Sequence, residues 1–161
     1  MIASMRRTTY RLWAMGAALV LACAISATMA IAATTAKSGD TLDYDGTVLH
    51  LWGIEAPDKE QTCSDGWPAG KMAADHLAKL IDGQKVECEL KSAANASPAY
   101  AVCKVGQQDL GAAMVRAGMA WTNLQQSAEY SIGETNAMVE VVGVHAHRCL
   151  EARQWRARHG R

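Results

Sequence analysis

No arginine occurs between Arg11 and Arg116, so more than a hundred central residues offer no guanidinium for gripping a phosphate bidentately. The remaining arginines (Arg116, Arg148, Arg153, Arg156, Arg158 and Arg161) are all late, which confines any basic face to the C-terminal part. Excess positive charge is also missing: 16 basic residues balance 16 acidic ones. Most non-specific nucleic-acid affinity comes from phosphate neutralisation, so a neutral chain argues against tight, general binding of that kind. No Cys-x-x-Cys pair is present, which removes the commonest thiolate metal signature. At 161 residues the chain is too short for two separate cores.

Long apolar runs are equally scarce, with one exception. Arg6, Arg7 and Arg11 precede an apolar stretch from Leu12 to about Ala33, and Ala30-Ile31-Ala32 supplies the small residues that a signal peptidase reads. The expectation is a signal peptide over residues 1–32 and a mature domain over 33–161, exported to the periplasm or secreted. Two alternatives are retention as an N-terminal membrane anchor and a poor lipoprotein site at Val20-Leu21-Ala22-Cys23. Loss of residues 1–32 takes away three arginines and no acids. The mature domain then holds 13 basic and 16 acidic residues, a formal charge of −3.

Four cysteines remain after export: Cys63, Cys88, Cys103 and Cys149. An even number in a small exported domain reads as two disulfides, with three connectivities open. Cys88 and Cys103 lie on two expected strands, 85–91 and 99–105, about equidistant from the middle of the loop between them. Antiparallel pairing therefore sets them opposite each other, and Cys63 is left for Cys149. A soft-metal clasp from His145, His147 and Cys149 is the competing reading of the tail.

What is present is organised around residues 38–58, SGDTLDYDGTVLHLWGIEAPD. Two alternating runs flank Asp45-Gly46, a dipeptide suited to the positive φ angles of a tight hairpin turn. In the second run Val48, His50 and Trp52 share one face and Leu49 and Leu51 the other. Asp40, Glu55 and Asp58 sit at the two far ends of the hairpin, which folding brings together. Hard oxygen ligands converging at one rim suit a divalent cation such as Ca²⁺, with weak affinity on the order of 10⁻⁴ to 10⁻³ M. Ordinary polar turn residues are the bland account of the same positions.

Further along, Pro68 opens a helix over 69–81 with Ala73, Leu77, Leu80 and Ile81 as its apolar stripe. Asp109 caps a second helix that ends at Gly118, and a third starts near Ser127 and runs toward Gly143. Within 137–144 only Glu140 and Gly143 interrupt an apolar stretch. Either part of it faces outward, as a protein-partner site or membrane contact, or the C-terminal tail folds back over it.

The segments GDTL and HLWGIEAPDKEQTC, followed by GQKVEC, AVCKVGQQDLGAAMVRAGMAW, Gly143-Val144-His145 and Gln154-Trp155-Arg156, resemble the staphylococcal-nuclease (thermonuclease) family in order and spacing. The family pattern reads DGDTL, then RLxGIDAPE. The resemblance implies an α+β fold: a five-stranded Greek-key barrel of oligonucleotide-binding type with about three packed helices. It implies Ca²⁺ held by Asp40 and Glu55, with Asp58 as general base or water-positioning acid, and no organic cofactor. The two phosphate-clamping arginines it implies are replaced. His50 stands at one position, and the other falls near Pro98. Glu55 is one methylene longer than the family's aspartate, and Asp58 one shorter than its glutamate. The resulting expectation is a thermonuclease-like domain with impaired or absent phosphodiesterase activity and a residual binding role, with single-stranded nucleic acid as the candidate ligand. An active Ca²⁺-dependent nuclease with an atypical site, in which His50 contributes, and an envelope interaction module are the alternatives.

Overall fold

The alternation in residues 41–51 and the Asp-Gly turn produce the hairpin that the pattern requires. In the computed structural model, which describes residues 34–93 and 95–160, β2 (Thr41–Tyr44) pairs antiparallel with β3 (Thr47–Leu51). Asp45 (φ 51°) and Gly46 (φ 79°) both adopt the left-handed conformation between them. Gly46 N–H donates to Asp43 Oδ1 at 3.0 Å, so an aspartate side chain closes the turn from the strand end. Leu42, Leu49 and Leu51 point inward and are buried, while Val48 is exposed and His50 half-buried. The leader, its cleavage after Ala32 and the anchor and lipoprotein alternatives all lie outside the described residues.

The hairpin is extended on both sides. β1 (Thr35–Ala36) pairs antiparallel with β2. On the other side, β3 runs parallel to β6 (Ala99–Val105), with Leu49 opposite Ala99, His50 opposite Tyr100 and Leu51 opposite Ala101. β6 in turn pairs antiparallel with β5 (Val86–Leu90) and with the short β7 (Gln108–Asp109). The result is a mixed six-stranded sheet of order β1-β2-β3-β6-β5, with β7 also on β6. β4 (Ile54–Glu55) forms a separate ladder with β8 (Trp121–Thr122).

The α+β class of the expectation holds, whereas the expected five-stranded barrel is not seen as a closed one. Among the described residues the ladder stays open, because β1 and β5 are its ends and do not pair with each other. After β3 ends at Leu51 the chain turns through Gly53, at φ 77°, and β4 pairs elsewhere.

Four α-helices pack with the sheets among the described residues, where about three were expected. Helix α1 (Ala69–Ile81) buries Ala69, Ala73, Leu77 and Ile81, a stripe at i, i+4 spacing. Helix α2 (Leu110–Arg116) begins at Asp109, whose side chain accepts from Ala112 N–H. Helix α3 (Ser131–Glu140) is shorter than expected. It starts after Tyr130 and ends where Val141 turns left-handed at φ 53°. The unforeseen helix is α4 (Ala152–Arg158), two turns long, with Ala152 and Trp155 buried. A helix this short carries little periodicity of its own and is held by packing.

The main core joins Leu42, Leu49, Leu51, Leu77, Leu110, Met114 and Val115, each at most 3 % exposed. A second cluster gathers Trp121, Val144 and Ala152, with Trp67 and Cys149 against it. The sulfurs of Cys88 and Cys103 are bonded across the β5–β6 register, and those of Cys63 and Cys149 join the post-hairpin loop to the tail.

The tail, bonded to Cys63, leaves much of the apolar stretch uncovered. Ala137 and Val144 are buried, but Met138, Val139 and Val141 are 57 %, 76 % and 59 % exposed.

Candidate active site

The hairpin end, β4 and the loop after it meet at one concave surface of about 350 Å³. Asp40, His50, Glu55 and Asp58, each singled out from the sequence, all line it, together with Tyr100, Lys59, Asn123 and Arg156. The hairpin places Asp40 and His50. The turn at Gly53 then carries the chain to Glu55, and Pro57 ends the extended segment before Asp58. Gly70 fixes the position of the next segment, because a Cβ there would collide with the carbonyl oxygens of Asp58 and Lys59. Only glycine lets α1 start this close to the backbone that presents Asp58.

Asp40 is committed to the protein. Its Oδ1 accepts from the hydroxyls of Ser38 and Thr41, both at 2.9 Å, and its Oδ2 accepts from Ala56 N–H at 2.9 Å. The carboxylate thereby ties the start of the hairpin to the end of β4. Thr41 Oγ1 also lies 3.2 Å from His50 Nδ1. The single hydroxyl proton is given to Asp40, so hydrogen-bond logic assigns a proton to Nδ1, which donates to Thr41. In a neutral ring Nε2 is then an acceptor, the wrong polarity for a phosphate oxygen. His50 further pairs with Tyr100 (ring centroids 5.6 Å apart), and Tyr100 meets Trp52 edge-on at 6.0 Å.

Glu55 and Asp58 share a partner that sequence reasoning did not place. Arg156, from α4, donates through Nη2 to Glu55 Oε1 at 2.6 Å and through Nη1 to Asp58 Oδ1 at 3.0 Å. Arg153 adds a longer ion pair to Glu55 Oε2 at 3.8 Å. The side chains of Glu55 and Asp58 are each 22 % exposed and that of Arg156 is 30 %. A forked charge-assisted contact this sheltered is stronger than a surface ion pair. Burial pulls the Arg156 pKa down, but the hydrogen bonds and charges of Asp58 and Glu55 outweigh it, and the net shift is upward.

Several contacts hold α4 in reach of the rim. Gln61, 1 % exposed, accepts from Asp58 N–H at 3.2 Å and donates to the Leu150 carbonyl at 2.7 Å. Cys63 bonds to Cys149. His147 stacks on Trp67 with ring centroids 4.4 Å apart, and its Nδ1 sits 2.7 Å from Asp65 Oδ2. That set also corrects the soft-metal reading of the tail, since Cys149 is oxidised and His147 is paired with Asp65. Among the described residues no three His, Cys, Asp or Glu side chains are grouped to hold a metal ion.

The signal that could have located Arg156 was the cysteine pair. Cys63 follows Asp58 by five residues and Cys149 precedes Arg156 by seven, so linking them brings the arginine to the carboxylates. Gln61 left no comparable trace in the sequence.

A mixed sheet whose hairpin end gathers acidic side chains, with helices around it, defines an α+β domain with an acidic cleft. The chain belongs to the family of staphylococcal nuclease homologues, whose sequence profile matches residues 48–143. Comparison with curated proteins gives no match. The matched span includes His50, Glu55 and Asp58, whereas Asp40 and Arg156 fall outside it.

Members of this family are generally Ca²⁺-dependent, and the donor set here can be tested against that ion. Asp40 already accepts three hydrogen bonds, and Glu55 and Asp58 already face a guanidinium. Ca²⁺ needs six to eight oxygen ligands. The residues as arranged do not fit it.

Proposed function

We propose that this is an exported staphylococcal-nuclease-family domain whose phosphodiesterase activity is impaired or absent and which retains a binding role toward single-stranded nucleic acid. The observation that carries the reading is the bridge from Arg156 to Glu55 and Asp58. A carboxylate serving as general base, or orienting a water, must have its lone pairs directed at that proton. Asp58 instead holds a guanidinium, and Glu55 is one methylene longer than the residue it replaces. At the two clamp positions His50 and Pro98 supply no bidentate fork for charge building on a phosphate.

Support for binding comes from the same surface. His50 on β3, Trp52 just after it and Tyr100 on β6 form a half-buried aromatic group, and His50 and Tyr100 line the cleft. Base–aromatic stacking tolerates any sequence and contributes roughly 1–3 kcal/mol per base. Export is supported by the two disulfides, which persist in oxidising compartments. Among the described residues no helix is long and apolar enough to cross a membrane. Residues 1–32 are the proposed leader.

The experiment is a cleavage and binding assay of the purified mature protein on labelled single-stranded DNA and RNA, in Ca²⁺ and in chelator, with Asp40→Ala as control. The expected result is salt-sensitive binding without Ca²⁺-dependent cleavage. Robust cleavage that both chelator and Asp40→Ala abolish overturns the reading. A second reading has one observation in its favour, namely that a guanidinium does reach the cleft. In an atypical active nuclease Arg156 would grip the substrate phosphate, and Arg156→Ala would abolish cleavage by the wild-type domain.

A further inference from the structure

We propose that Arg156 is the resident cation of this cleft: a guanidinium tethered through α4 that bridges Glu55 and Asp58 and excludes Ca²⁺ from them. Three features converge on this role. First, one planar group spans two carboxylates from different positions, at 2.6 and 3.0 Å, as a bound cation does when it draws ligands together. Second, both Glu55 oxygens face positive charge, because Arg153 approaches Oε2 at 3.8 Å while Arg156 holds Oε1. A divalent ion bound at Glu55 would sit beside two guanidiniums of like charge.

Third, the arginine is delivered by a fixed scaffold. An exposed arginine loses much rotamer freedom when it forms an ion pair, and that loss cancels most of the gain. Here the helix is anchored independently by buried Ala152 and Trp155, by the bond from Cys149 to Cys63, and by Gln61 holding the Leu150 carbonyl. The backbone that carries the fork is therefore already ordered, and only the Arg156 side chain remains to be fixed. Asp40, the remaining acid of the cleft, has both oxygens hydrogen-bonded within the chain, by Ser38, Thr41 and Ala56. Each carboxylate lining the cleft thus has its partner within the chain.

The inference rests on the cleft assignment above and is independent of whether the domain cleaves nucleic acid. Its test therefore reads ion binding and stability, with no substrate present. Full mature protein and R156Q are titrated with Ca²⁺ by calorimetry and melted in chelator and in millimolar Ca²⁺. Wild type is expected to show no saturable heat and the same melting temperature in both conditions. R156Q is expected to melt lower than wild type in chelator, to recover part of that loss in Ca²⁺, and to bind with Kd on the order of 10⁻⁴ to 10⁻³ M. Saturable Ca²⁺ binding by wild type overturns the proposal whatever the variant does, and so does an R156Q protein that takes up no Ca²⁺. Where R156Q is too unstable to titrate, R156M replaces it. Methionine keeps an unbranched apolar stem and removes the charge, so Ca²⁺ uptake is still expected and its absence counts against the proposal equally.

Discussion

Removing the Cys63–Cys149 bond should cost more stability than removing Cys88–Cys103, and the difference can be worked from the chain. The two links close segments with sequence separations of 86 and 15. On the loop-entropy relation these constrain the unfolded chain by about 4.5 and about 3 kcal/mol at 25 °C. The expected gap is therefore about 1.5 kcal/mol from chain entropy alone. Local structure widens it. Cys88 and Cys103 stay neighbours through five paired positions of the β5–β6 ladder even without the bond. The Cys149 segment, by contrast, depends on Gln61, the His147–Trp67 stack and Arg156 to remain at the rim. Since a domain of this size is stable by only about 5–15 kcal/mol, losing 4.5 is a large fraction. The assay is urea unfolding of wild type, C63S/C149S and C88S/C103S, with midpoints and slopes compared. Thermal melts of C63S/C149S should fall by roughly 15 °C. If C88S/C103S proves equally or more damaging at unchanged slope, long-loop closure is not what the tail link contributes.

Gln61→Leu should destabilise by about 2–3 kcal/mol, since Asp58 N–H and the Leu150 carbonyl lose their partner in a buried place; denaturant midpoints check this. His145 has a pKa pushed down chiefly by burial, against a smaller upward pull from Glu134, and its Nε2 is buried with no hydrogen-bond partner among the described residues. The unfolded chain therefore binds that proton more readily, so the stabilisation is present above the ordinary histidine value of 6.5 and lost as pH falls below it. The fall in melting temperature between pH 7.5 and 5.5 should shrink in H145L. Val139, at 76 % exposure, should accept aspartate at a cost within about 0.5 kcal/mol; a loss of several kcal/mol would mean that the tail covers this face after all.

The sequence by itself determined the features that short-range rules govern. Period-two alternation around Asp45-Gly46 set the hairpin and its inward leucines, because a register slip of one residue would expose Leu49 and Leu51. The hairpin places Asp40 at the cleft, and the short run through Gly53 and Pro57 keeps Glu55 and Asp58 close to it. Cys88 and Cys103 were legible as partners because their strands are joined by a short loop. The stripe of α1 was legible because thirteen residues carry several full turns.

Tertiary structure decided what no local pattern encodes. The parallel pairing of β3 with β6, which sets Tyr100 beside His50, joins strands nearly fifty residues apart. Gly53 signalled a break, but only packing chose β8 as the partner of β4. Helix α4 is too short to announce itself. Above all, the absence of arginine from the centre of the sequence said nothing about which side chain would fill the rim, because that depends on where the tail is tied. The bond to Cys63 and the buried Gln61 tie it across the carboxylates, and Arg156 arrives there from about a hundred residues away. Charge at a site is a property of proximity in space, so the folded chain, and not its local composition, set the electrostatics of this cleft.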